Sequence, residues 1–85
     1  MLRIELVEPP TGTPTLRLEG RVIGPWVGEL RQVCVPLLAT GAGLTLDLSD
    51  VSFVDREGVE LFGSLRERQV VLLNCSPFVA EQLKA

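Results

Sequence analysis

The chain opens on a strict alternation. Leu2, Ile4 and Leu6 fall on one side and Arg3 and Glu5 on the other. Period two over Leu2 to Val7 is the signature of a half-buried strand. The stretch Glu8-Pro9-Pro10-Thr11-Gly12-Thr13-Pro14 has no period and is rich in turn formers. Alternation then resumes, with Leu16 and Leu18 on the apolar side and Arg17 and Glu19 on the polar side. Two such strands joined by a short turn predict an antiparallel hairpin.

At Gly24-Pro25 the period changes. Proline is well suited to the first helical position, and Trp26, Leu30, Val33, Cys34 and Leu37 follow at helical spacing. Pro36 predicts a kink or an early end, because it removes a donor and clashes with the carbonyl of Gln32. Gly41 and Gly43 are expected to stop the helix. Period two returns with Leu44, Leu46 and Leu48 against Thr45, Asp47 and Ser49. Asp50 to Val54 reads as a short link to Asp55, an N-cap for a helix over roughly Arg56 to Arg68. Val59, Phe62 and Leu65, with Leu61 beside them, form its expected inner face. Val70 to Leu73 is a short unbroken apolar run, predicted to be a more buried strand. Ser76-Pro77 starts a last short helix, with Val79 and Leu83 one turn apart.

The predicted order is β-β-α-β-α-β-α, an α/β fold with a single mixed sheet. Crossovers between parallel strands are right-handed. Laying the second to fourth strands side by side in chain order therefore puts both connecting helices on one face. The other face is left to water, as polar positions Arg3, Glu5, Arg17, Glu19, Thr45 and Asp47 require.

Length limits this picture to one domain, since 85 residues bury only a thin core. A hydrophobic fraction of 46% against 22% charged is enough apolar material to fold. The net charge of −3 and the lack of any Lys/Arg cluster argue against nucleic acid and anionic membrane surfaces. No apolar run is long enough to span a bilayer, and early charges at Arg3 and Glu5 are unlike a signal peptide. Cys34 and Cys75 form no CxxC motif and are expected to be reduced thiols in a cytoplasmic protein.

The most specific segment is Leu46-Asp47-Leu48-Ser49-Asp50-Val51-Ser52-Phe53-Val54-Asp55-Arg56-Glu57-Gly58-Val59. It resembles the signature of the STAS, or anti-sigma-factor-antagonist, family. There a strand of the type LDLS, a hydrophobic link and the sequence D-S-S-G-L lead into a helix. Gly20-Arg21-Val22-Ile23 also lies where the family places a glycine after its second strand. The resemblance implies a protein-binding module without catalysis or cofactor. Some members bind a kinase-type anti-sigma factor and are switched by phosphorylation of the serine before the motif glycine. Others serve anion transporters, stress-sensing complexes or lipid-transporting ABC systems. Here Glu57 stands at the switch position and Arg56 before it, so no hydroxyl is present. Many members also continue with a further strand and helix, and this chain stops in the third helix.

Asp55, Arg56, Glu57, Gly58 and Val59 are accordingly the expected partner-binding residues. Each also has a plain structural role. Asp55 caps a helix, Glu57 places a carboxylate near a helix N-terminus, and Gly58 permits close helix–strand packing. A transporter-associated subunit is the alternative partner class. A third reading treats Asp47, Asp50 and Asp55 as a magnesium or phosphoryl-transfer cluster, which needs carboxylates converging on one point. No histidine is present, and the two distant cysteines make a weak nucleophile case. Finally, an apolar terminal strand at Val70 to Leu73 is liable to pair with another chain, so a homodimer or a partner covering that edge is expected.

Overall fold

The computed structural model describes residues 2–7, 12–41 and 43–84. The first half of the expected hairpin turn, residues 8–11, lies outside the described residues. Seven elements follow in the expected order: β1 (Leu2–Val7), β2 (Thr15–Val22), α1 (Pro25–Ala39), β3 (Thr45–Val54), α2 (Arg56–Glu67), β4 (Val71–Leu73) and α3 (Pro77–Lys84). They build a four-stranded mixed sheet in the order β1-β2-β3-β4. β1 is antiparallel to β2, whereas β2–β3 and β3–β4 are parallel.

Each strand sends its apolar side to one core. Leu16, Leu18, Leu46 and Leu48 are fully buried there with Leu30 and Cys34 of α1, Phe62 of α2 and Val79 of α3. The opposite face is open. Arg3, Glu5, Arg17, Glu19 and Asp50 line a shallow polar depression on it, while Thr45 and Asp47 are half-buried. The sheet is therefore covered on one side, as the polar alternation demands.

Four local expectations need correction. The first concerns α1: of the two outcomes expected at Pro36, a kink or an early end, the early end does not occur, since the helix runs through Pro36 to Ala39. Pro36 and Gln32 are both on the exposed side, where a carbonyl without its donor is open to water. Secondly, the buried stripe of α1 is Val27, Leu30 and Cys34; Trp26, Val33 and Leu37 only flank it. In α2, likewise, the buried set is Gly58, Leu61, Phe62 and Leu65, and Val59 sits at its margin.

The third correction is that Asp50 to Val54 is not a link but the second half of β3. It pairs with the end of β2 through Gly20–Val51, Arg21–Phe53 and Val22–Val54. Between Arg17 and Glu19, and again between Gly20 and Arg21, the register shifts. Each shift inserts one extra residue into β3, as a bulge does. Its inward positions are consequently Leu46, Leu48, Val51 and Val54. Their spacing of two, three and three hides the strand period.

Fourthly, β4 is less buried than its composition suggests. Leu72 packs partly against the core, but Val71 and Leu73 are 51% and 44% exposed. β4 ends the sheet, pairing among the described residues only with Thr45, Leu46 and Asp47. Gln69 and Asn74, at φ 66° and 60°, bound it closely on both sides and keep this edge short.

Candidate functional site

β2 and β3 both end at the edge of the sheet where α1 and α2 begin, and Asp55 ties these ends together. Its Oδ1 accepts from the backbone N–H of Gly58 at 2.8 Å, which caps α2. Its Oδ2 accepts from the N–H of Gly24 at 2.9 Å, immediately before α1. Its own N–H donates to the carbonyl of Val22 at 3.1 Å. The predicted cap is thus also a clamp between the two crossover turns. Gly24 takes φ 52° and ψ −130°, a conformation that strains any residue with a Cβ.

Gly58 lies beneath this clamp. A Cβ there would fall 2.6 Å from Val54 Cγ1 and 2.8 Å from the Val22 carbonyl oxygen. α2 can approach the two strand ends only with glycine at this point. The remaining first-turn residues spread around the helix at about 100° per residue. Opposite buried Gly58, Arg56 and Glu60 form an exposed ridge, joined by an ion pair of 3.8 Å.

Glu57 and Val59 fall on different flanks of that ridge. On the α3 side, Phe53, Val54, Asp55, Arg56, Val59 and Gln82 line a groove of about 660 Å³. On the α1 side, Glu57 lines a second depression of about 460 Å³ with Gly24, Pro25, Gly28 and Arg31. Of the five expected binding residues, three therefore share the apolar groove, Glu57 faces away from it, and Gly58 is packed beneath.

Two groove residues, Phe53 and Gln82, and Phe78 beside them carry no signal in the sequence motif. Phe53 belongs to the bulged half of β3, whose broken alternation resembles a link, and it remains 38% exposed. Phe78 is 57% exposed and meets Phe53 at 6.2 Å between ring centroids. Gln82, one turn further along α3, grips β3 with its amide. The Val54 N–H donates to Gln82 Oε1 at 3.0 Å, and Gln82 Nε2 donates to the Val54 carbonyl at 2.8 Å. The four-residue spacing of Phe78 and Gln82 marks one helix face, next to the core-facing side that Val79 and Leu83 mark.

The acidic residues considered as a magnesium cluster go to separate partners. Asp47 Oδ1 accepts from the Ser49 N–H at 3.0 Å and from Asn74 Nδ2 at 3.2 Å. The Ser49 backbone bond, then the Asn74 bond, hold its carboxyl below the usual aspartate range. Asp50 faces Arg17 at 3.7 Å across the open sheet. Asp55 is engaged in the clamp, and among the described residues no cluster of three potential ligands could hold a metal ion. Cys34 and Cys75 are free thiols. Burial pushes Cys34 up to about 11 and also raises Cys75, which disfavours the thiolate a nucleophile requires. Trp26 is half-buried against the core. Among the described residues, no helix is long and apolar enough to cross a membrane.

No family model matches the sequence, and no curated protein matches it. The chain is similar to the anti-sigma factor antagonist SpoIIAA in its unphosphorylated form, with a TM-score of 0.73 and 26% sequence identity. The match covers 96% of this chain and 82% of that one.

Proposed function

We propose that this STAS-type module, as its fold and its resemblance to an anti-sigma factor antagonist together suggest, acts in the cytoplasm by binding a regulatory protein and not by catalysis. The observation that carries the reading is the aromatic pair Phe53 and Phe78, left exposed beside the Asp55 clamp. Exposed aromatics bordering an apolar groove are what protein-contact surfaces are made of. Their neighbours Asp55, Arg56 and Val59 belong to the segment that resembles the family's binding motif.

Glu57 stands where regulated members carry a phosphorylatable serine. Its single negative charge is permanent, against roughly −1.5 to −2 for a phosphoserine. The module is therefore held in one state, and a kinase cannot switch it at this position. The carboxylate lies in the first turn of α2, where the helix dipole favours it.

The test uses a kinase-type anti-sigma factor from the source organism. Calorimetric titration is run with wild type and with Glu57→Ser, with and without ATP. The reading expects wild type to bind independently of ATP and without phosphate incorporation at position 57. Glu57→Ser changes the affinity in the absence of ATP. Identical affinity of the two proteins removes the role of Glu57, and no binding of either overturns the anti-sigma assignment.

A homodimer is a second, separate proposal, supported by exposed Val71 and Leu73 on the terminal strand. A monomer at high concentration in sedimentation equilibrium overturns it.

A further inference from the structure

The strand edge beside the groove is closed in an unusual way. β3 has ten residues, but β4 pairs with only Thr45, Leu46 and Asp47. Beyond them, among the described residues, the outer side of β3 has no strand neighbour. α3 lies there instead, and the Gln82 amide supplies what a neighbouring peptide group would, one donor and one acceptor, both directed at Val54.

Little else fastens α3. It has eight residues and one fully buried side chain, Val79. Leu83 is only half-buried, and the Phe53–Phe78 contact is largely open to solvent. An isolated helix of this length is unstable in water. Beyond its N-cap, where Ser76 Oγ accepts from the Val79 N–H at 3.2 Å, its persistence depends on those few contacts, and weakly fastened elements open separately from the rest of a protein. Gln82 is itself a wall of the groove, alongside Phe53, Val54 and Val59.

We infer that α3 is a strap over the end of β3, that Gln82 is its latch, and that release of the latch opens the apolar groove next to Asp55. The inference rests on the protein-binding reading of that groove and adds its regulation. In the closed state Gln82 satisfies Val54 and Phe78 covers one side of Phe53. In the open state the Val54 peptide groups and the faces of Phe53 and Val59 are available to a partner. Gln82 is a positioning residue in this scheme, since it sets access without being the main contact.

Amide hydrogen exchange followed by NMR tests the latch without any partner. In wild type, the amides of α3 and of Val54 exchange through a local opening, faster than those of Leu18 and Leu46. Gln82→Ala accelerates exchange at α3 and Val54 by about tenfold or more and leaves Leu18 and Leu46 within about twofold. It also raises the fluorescence of the dye ANS, and the added Phe53→Ala change cancels that rise. Gln82→Glu supplies a chemical check. At pH 7 its carboxylate accepts from the Val54 N–H but has no proton for the Val54 carbonyl. Below about pH 4 the carboxyl is protonated and the donor returns. Its excess exchange over wild type therefore shrinks at pH 3.5. Two results overturn the latch: α3 exchanging in step with Leu18 and Leu46 in wild type, or no acceleration in Gln82→Ala. Neither bears on whether the module binds a regulatory protein, which the titration decides separately.

Discussion

The two halves of β3 carry opposite assignments within one strand. From Thr45 to Leu48 the residues alternate strictly, flanked by β2 on one side and β4 on the other. From Ser49 to Val54 two register shifts break the alternation, and the outer side is covered by a helix. The regular half supplies Leu46 and Leu48 to the core and leaves Thr45 and Asp47 half-buried on the open face. The bulged half turns Phe53 outward and delivers Asp55 to the junction of two helices. Regularity serves burial, and local irregularity re-aims side chains toward a surface.

The largest difference between the halves is expected in stability. Leu46→Ala leaves a cavity where the side chain is completely enclosed. It should cost about 2–5 kcal/mol, read as a lower midpoint in urea unfolding. Phe53→Ala, at a 38% exposed site, should cost far less. Equal losses would remove the division between a structural and a presenting half.

Next comes Gly58→Ala. The new methyl meets Val54 and the backbone of Val22 at the distances given above, and the backbone oxygen has little room to move. A loss of about 1–3 kcal/mol is expected, with NMR shift changes concentrated at Val22, Val54 and Gly24. An unchanged midpoint would show that α2 can lift from the strand ends freely.

Asp55→Ala removes a helix cap and the bond to Gly24. A cap alone is worth about 0.5–2 kcal/mol. The clamp predicts faster hydrogen exchange at both Gly24 and Gly58. A change confined to Gly58 would reduce Asp55 to an ordinary cap.

The smallest expected effect belongs to Asp47, back in the regular half. Its folded pKa is lowered, first by the Ser49 backbone bond and then by Asn74. Its carboxylate therefore contributes stability above the unfolded value near 3.9, and that contribution is lost as pH falls through the lower, folded value. Asp47→Asn should flatten the acid side of the stability–pH curve in urea titrations between pH 3 and 7. An unaltered acid limb would mean that other carboxylates govern it.

Much of this arrangement was legible along the chain. Leu2–Ile4, Leu16–Leu18 and Leu44–Leu48 announced three strands, because one-sided burial imposes period two. Asp55 announced a cap, and the paired polar positions announced an open sheet face. Pro36 does not end α1, because propensity acts locally, whereas the surrounding helix tolerates a lost donor on its wet side. Val70 to Leu73 misled on burial alone, because an apolar run reads as enclosed although its place at the end of the sheet leaves Val71 and Leu73 open.

The sequence by itself determined the order of elements, the covered and open faces, and the position of the Asp55–Val59 turn. Those properties follow from periodicity and from short-range hydrogen bonding, both encoded within a few residues. Tertiary structure alone decided which flank of α2 each turn residue faces, that Asp55 also holds Gly24, and that Gln82 closes the edge at Val54. Gly24 and Asp55 are 31 residues apart, and Val54 and Gln82 are 28 apart. No local period records such pairs. They meet because the bulges set where β3 ends, and the short β4 leaves room beside it for α3.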